Sequence, residues 1–278
     1  MTKVTKLQLS IQHHDHVQTV KGTFSYMGHT LRFYWYCVDR LWIDTGPPRA
    51  RDHVAALAAE QPPSVVALTH FHEDHSGNAG WLARTYGIPV MMSEETARIL
   101  KQPPSIPVYR KWVWGQMEPV SGTVAEEVLQ TERYRFRVIP TPGHSQDHIA
   151  YLEEERGWLF SGDLFLGTRL HYGMRGESVA DMIASIERVL AYPFETVFCA
   201  HAGVVKEGRK SLEAKRRFLL ELVEETHHLA QKGMPARLIA RKLLQGSTLL
   251  EWFSLGEMGA IHLIRSILKE KREPVKRL

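Results

Sequence analysis

The segment Thr69-His70-Phe71-His72-Glu73-Asp74-His75-Ser76-Gly77 packs three histidines and an aspartate into six residues. That spacing can supply ligands to two metal ions from one short stretch of chain. Imidazole and carboxylate donors together suit zinc, or iron and manganese, better than calcium or magnesium. The competing reading is a solvated run of surface histidines.

The neighbouring residues argue for a built site. Residues 64–68 form an apolar, β-branched run that reads as a buried strand. Residues 77–86 carry a helical pattern that Gly87 stops. The cluster therefore falls where a strand hands over to a helix. The same design recurs three times. His144 follows the alternating strand predicted at 134–139, Asp163 follows Trp158-Leu159-Phe160, and His201 ends the apolar run 196–200. A lone histidine after a strand is usually ordinary, but this ordered set is poorly explained by chance.

The pattern His-x-His-x-Asp-His, then Gly143-His144, Gly162-Asp163 and His201, resembles the metallo-beta-lactamase superfamily. Asp44-Thr45-Gly46, after Leu41-Trp42-Ile43, matches that family's first motif, and the likeness runs over roughly residues 20–205. It implies an α/β fold, an αββα sandwich of two facing sheets with helices outside. It also implies two divalent metal ions, zinc first with iron or manganese as alternatives. His70, His72 and His144 would hold one ion, Asp74, His75 and His201 the other, and Asp163 would bridge. A hydroxide between the ions would attack an acyl carbonyl, since coordination lowers the pKa of water from 15.7 to about 7. Asp74 would double as a catalytic proton acceptor or orienter for that water, and Asp44 would orient a ligand histidine through its free ring N–H. The oxygen-reducing di-iron branch of the family typically has glutamate where His72 stands, so the motif resembles the hydrolytic branch. Mono-iron persulfide dioxygenases share much of the motif. The superfamily hosts many chemistries, so substrate does not follow from fold.

The expected activity is hydrolysis of an ester-like bond in a small molecule: a carboxylic ester, thioester or lactone. Endoribonuclease activity is the runner-up, and a merely structural metal site is a third reading. Tyr172 is expected to donate to the developing oxyanion. Arg169, His171 and Arg175 flank it as candidates for the cavity mouth. Pro103-Pro104-Ser105-Ile106-Pro107 predicts a projecting loop leading into Tyr109-Arg110-Lys111-Trp112-Val113-Trp114, which could grip a flat or anionic substrate or simply pack on the core. His13-His14-Asp15-His16 imitates a metal cluster, but strand neighbours point to opposite faces. His227, His228 and His262 read as ordinary helix residues.

Composition sets the remaining expectations. The chain has 278 residues, 44% of them hydrophobic, and no apolar run near the ~18 residues of a membrane span. Its start lacks the apolar stretch of a secretory signal. Only Cys37 and Cys199 occur, which suits a reducing cytoplasm rather than a disulfide framework. Cys199 reads as a buried strand residue. Strands and helices are expected to alternate through residues 1–205, the catalytic domain. Ser178 and Asp181 open a helix bearing Val179, Met182, Ile186 and Val189. Residues 206–278 read as a basic helical extension, distantly similar to the winged-helix-like tail of lactamase-like endoribonucleases. They hold 16 Lys and Arg against 9 Asp and Glu, a net +7, while residues 1–205 hold 19 against 22, a net −3. The adjacent cations Lys215, Arg216 and Arg217 are the expected RNA contact. The stripe Leu212, Leu219, Leu222 and Leu229 suggests instead a packing or homodimer face. Further helices are expected at 234–244 and 249–271.

Overall fold

The computed structural model describes residues 6–26, 29–245 and 248–269. The last residues of the helix expected to reach Lys271 lie outside them. The first sheet has seven strands in chain order: β1 (Gln8–His14), β2 (Val17–Tyr26), β3 (His29–Val38), β4 (Leu41–Ile43), β5 (Val65–Ala67), β6 (Val90–Met92) and β7 (Thr123–Val124). The second follows with β8 (Val128–Gln130), β9 (Arg135–Pro140), β10 (Ile149–Glu153) and β11 (Trp158–Gly162). After the short β12 (Gly173–Met174) come β13 (Thr196–Cys199) and β14 (Gly203–Val205), and the sheet order is β14-β13-β11-β10-β9-β8. β12 pairs instead with β15 (Met258–Gly259).

Each sheet is apolar on both faces, which is why two layers of helix are required. On β3, Phe33, Trp35 and Cys37 pack outward while Tyr36 and Val38 pack inward, the two-residue period of a strand. The inward set meets Phe136, Tyr151, Phe160 and Phe198 of the second sheet. The outward set is covered by α1 (Arg51–Glu60), α3 (Ala79–Tyr86) and α4 (Glu94–Lys101). Parallel pairing of β4, β5 and β6 needs crossover connections, and α1 and α3 provide them.

The sequence expectation of strict strand–helix alternation fails at the start. β1 to β4 run as consecutive antiparallel strands before any helix. The β3–β4 turn is two residues, Asp39 and Arg40, both at positive φ, the geometry of a tight hairpin. The helix expected over 77–86 is present as α3 from Ala79 to Tyr86, and a separate short turn, α2 (Glu73–Ser76), precedes it. A Cβ at Gly77 would lie 2.3 Å from Pro48 Cδ, and Asn78 there donates to the carbonyls of Thr45, Gly46 and Pro47. Gly87, at φ 68, ends α3 as expected. The proline-rich residues 103–107 form the expected loop, and the basic–aromatic segment it leads into forms α5 (Val108–Val113).

The outer face of the second sheet is covered by α6 (Val179–Leu190), α7 (Gly208–Gln231), α8 (Ala236–Leu243) and α10 (Ala260–Lys269), with α9 (Thr248–Phe253) nearby. Ser178 Oγ caps α6 by accepting from the Asp181 N–H at 3.1 Å. One continuous cluster joins Leu159 and Val197 of the sheet to Leu212, Leu219, Leu222 and Leu229 of α7 and Ile264 of α10. The run of three cations on α7 is corrected by this packing. Lys215 is 1% exposed, and Arg216 pairs with Glu187 at 2.6 Å.

Because Leu219 sits fully buried in the shared cluster, Leu219→Ala is expected to lower stability by about 2–5 kcal/mol. Denaturation followed by both far-UV and near-UV signals should stay a single transition, since α7 and the second sheet share one core. Two separated transitions would show that the C-terminal helices unfold independently.

Candidate metal centre

The loops at one end of the sandwich carry the candidate residues. Asp44 follows β4, His70 to His75 follow β5, His144 follows β9, Asp163 follows β11 and His201 follows β13. All seven expected ligands come together. They form three overlapping groups, His70–His72–His144, His70–His75–Asp163 and Asp74–His75–His201, with ligand atoms in each group within 4.8 Å of one another.

The outer nitrogen of four of the five rings, all but His72, is pinned by an oxygen. His75 Nδ1 donates to Asp44 Oδ2 at 2.8 Å, and His144 Nδ1 donates to Glu177 Oε1 at 2.7 Å. His201 Nδ1 donates to the Arg32 carbonyl at 2.9 Å. Thr69 Oγ1 donates to Asp44 at 2.8 Å and so accepts from His70 Nδ1 at 3.1 Å. These bonds occupy the outer edge of each of these four rings and leave the inner nitrogen to take up a proton or a metal ion.

The inner nitrogens then face acceptors. His70 Nε2 lies 2.9 Å from His72 Nδ1, which lies 3.0 Å from His144 Nε2. Asp163 stands between the two sets, Oδ2 at 3.3 Å from His144 Nε2 and Oδ1 at 3.4 Å from both His75 and His201. His75 Nε2 and Asp163 Oδ1 are buried without hydrogen-bond partners among the described residues. Lone pairs packed against a carboxylate repel unless positive charge lies between them. The ionisation preferences agree. Burial pushes His70 and His72 well below the usual histidine range, keeping them neutral donors. Burial also pulls on His75 and His201, but Asp163 with Asp44 or Asp74 overrides it and raises both well above that range. The centre demands cations, and nitrogen–oxygen donors at these positions fit divalent metal ions.

Several supporting residues have no signal in sequence spacing. Glu177 lies 33 residues from His144 and is visible in the chain only as the acid before the Ser178 cap. His148 Nδ1 donates to Thr141 Oγ1 at 2.7 Å, and its Nε2 accepts the Asp163 N–H at 3.0 Å. Burial pushes His148 down to about 3, so it stays neutral. A Cβ at Gly162, whose φ is +47, would lie 2.6 Å from His148 Nε2, so only glycine fits beside the Asp163 turn. Asp147 Oδ2 accepts from the Phe71 N–H and Thr96 Oγ1, tying the histidine loop to α4.

The basic–aromatic segment does not grip freely. Arg110 forms a bidentate pair with Glu73 at 2.6 Å and also reaches Glu257 at 3.0 Å. Tyr109 donates to Glu257 as well and packs edge-on against Phe253. Arg169, His171 and Tyr172 line the cavity beside the centre, whereas Arg175 does not. Cys199 is a buried thiol outside the ligand groups. His13 and His14 end β1, and Asp15 and His16 make the turn; none joins a potential ligand group among the described residues.

Comparison with known proteins settles the family. The family model described as "Metallo-beta-lactamase superfamily" matches residues 42–201. The chain belongs to the metallo-beta-lactamase superfamily. The hydroxyacylglutathione hydrolase of Halorhodospira halophila is 36% identical over 192 residues, 66% of this chain and 63% of that protein. The atrochrysone carboxyl ACP thioesterase of Aspergillus fumigatus is 31% identical over 180 residues, 63% of this chain and 51% of that protein. The matched stretch spans about half the length of several such relatives. A metallo-beta-lactamase family protein from Thermus thermophilus superposes with a TM-score of 0.64 at 20% identity, covering 95% of this chain and 93% of that chain. That last likeness is one of fold, and it extends over the C-terminal helices of this superfamily member.

Lys215 ties those helices to the centre. Its Nζ donates to the carbonyls of Leu164 and Phe165 at 2.7 and 2.8 Å, directly after Asp163, where Leu166 takes a positive φ of 54. Burial pushes the ammonium from its ordinary 10.5 down to about 8. The folded value lies below the unfolded one, so the unfolded chain binds more protons between them. Stability should therefore rise as pH climbs from about 8 to 10.5. Relative to Lys215→Met, the wild type is expected to gain at most about 3 kcal/mol across that window. Urea unfolding at successive pH values measures it, and a constant difference between the two proteins would contradict the assignment.

Proposed function

We propose that this metallo-beta-lactamase superfamily member is a dinuclear metal-dependent hydrolase of an ester-like bond, with thioesters the leading substrate. The observation that carries the reading is the packing of unpartnered His75 Nε2 and Asp163 Oδ1 against two imidazole sets. The names of the relatives, one a hydroxyacylglutathione hydrolase and one an acyl carrier thioesterase, support the bond type. His70, His72 and His144 would hold one ion, Asp74, His75 and His201 the other, and Asp163 would face both. Zinc is the first candidate, with iron or manganese accommodated by the same donors. Bound there, such ions would acidify a water to a pKa near 7 and polarise the acyl oxygen.

The chain's own groups divide the remaining work. Asp74 stays ionised: burial opposes this, but His75 and His201 outweigh it. Its carboxylate, 3.3 Å from His201 Nε2, would accept a hydrogen bond from the attacking water and orient it. Tyr172 is 43% exposed at the cavity edge, and burial of its ring raises its pKa. The phenol therefore keeps its proton and can donate to the oxyanion of the tetrahedral adduct. Asp44, Glu177 and the Arg32 carbonyl hold the rings that face the substrate.

RNA is not part of this proposal, because Lys215 is buried and Arg216 is paired. No helix among the described residues is long and apolar enough to cross a membrane. Two buried free thiols fit the cytoplasm as the working compartment.

Elemental analysis after zinc reconstitution is expected to find about two ions per chain. One ion would return the mono-iron persulfide dioxygenase reading, and none would end the metalloenzyme reading. Asp163→Ala should lose about a hundredfold or more of thioester turnover while melting near the wild type. Undiminished turnover would remove Asp163 from the centre.

A further inference from the structure

The cavity beside the centre has a volume of about 480 Å³, far more than a water and an acetyl group need. Much of its lining is apolar: Leu31 of β3, Trp114 after α5, Leu170 after β11, Phe253 of α9 and Met258 of β15. Leu31, Trp114, Phe253 and Met258 are only half-buried, although nothing in the core requires them to face open space. This wall is rigid. Trp114 packs edge-on against Phe24 and Phe33, and Phe253 packs edge-on against Tyr109. Glu257 joins Tyr109 and Arg110 to the C-terminal segment, and Arg110 continues to Glu73 beside the ligand loop. Two cations, Arg32 and Arg169, line the same cavity without a carboxylate partner among the described residues. The Arg169 guanidinium lies 4.8 Å over the Phe218 ring, which leaves its N–H edge open.

We infer that the C-terminal segment around Phe253 and Met258 completes an acyl site. The site selects thioesters with an apolar acyl half larger than acetyl and an anionic thiol half that meets Arg32 and Arg169. The inference rests on the hydrolase reading above and names its substrate class. In the reaction the carbonyl carbon gains a bond to the oxygen of water and loses its bond to sulfur. One water proton goes to the leaving thiolate and the other leaves the new carboxylic acid, with no change of oxidation state. A pinned apolar wall recognises methylene groups, and discrimination by such a wall grows with each one added. Two open guanidinium groups recognise carboxylate or phosphate.

The test uses zinc-reconstituted full-length protein with acetyl and octanoyl thioesters of coenzyme A and of the uncharged thiol N-acetylcysteamine. The octanoyl ester is expected to exceed the acetyl ester in kcat/KM by about tenfold or more. Phe253→Ala should bring that ratio toward one. Phe253→Leu, which keeps an apolar group against Tyr109, should reduce it less. Arg169→Ala should reduce the preference for the coenzyme A ester over the N-acetylcysteamine ester, and added salt should do so in the wild type. Turnover with equal rates for both chain lengths would overturn the acyl site while leaving the hydrolase reading intact. If no thioester is hydrolysed, calorimetry of the loaded protein with octanoate and acetate decides separately. Tighter octanoate binding that Phe253→Ala removes supports the site, and equal binding of the two carboxylates overturns it.

Discussion

Asp163 carries two carboxylate oxygens into a space already lined by imidazole lone pairs, with 3.3–3.4 Å between the opposing atoms. Packed acceptors of this kind are unfavourable in a buried, low-dielectric site unless cations occupy the gap. Much of the neighbouring structure preserves this arrangement. Asp44, Glu177, the Arg32 carbonyl and Thr69 each take the opposite edge of a ring, so the rings cannot turn away to relieve the repulsion. His148 holds the Asp163 backbone, and Gly162 makes room for His148. The same bonds that make the centre rigid keep its candidate ligand atoms facing one another.

The sandwich delivers these groups because strands end where ligands are needed. β4 and β5 are parallel, as are β11 and β13, so their C-terminal ends open on one side of the molecule. Candidate ligands from four separate loops can then meet without a long excursion. The C-terminal helices contribute to the same end. Lys215 of α7 reaches under the Asp163 turn, and Phe253 and Met258 stand at the cavity wall. A buried ammonium with two carbonyl partners and no carboxylate is costly to keep, and its position gives it a reason: it braces a turn held at an unfavourable φ beside a ligand.

The local record in the chain was informative. The short apolar runs predicted as strands at 64–68, 158–160 and 196–200 hold strands here, because burial on both faces leaves an unbroken apolar signature, and the alternating run at 134–139 is a strand with one face toward the core. The Ser178 cap and the Gly87 stop were legible since both act within one helical turn. The histidine cluster announced itself because several of its members lie within six residues. The antiparallel pairing of the early strands was missed, because β1 and β2 are interrupted by polar residues and the apolar run 33–38 of β3 does not by itself name its neighbours.

What the sequence determined by itself was the set of candidate ligands, their order along the chain and the family it belongs to, because these depend on residue type and short spacing. What only the tertiary structure decided were pairings between residues far apart in the chain: Glu177 with His144, Arg110 between Glu73 and Glu257, and Lys215 under Leu164 and Phe165. Net charge counted Lys215 as a surface cation, yet folding buried it, since helix position specifies a face but not what packs against it. Partner choice at long range is set by how sheets and helices stack, and no local pattern of residues encodes that.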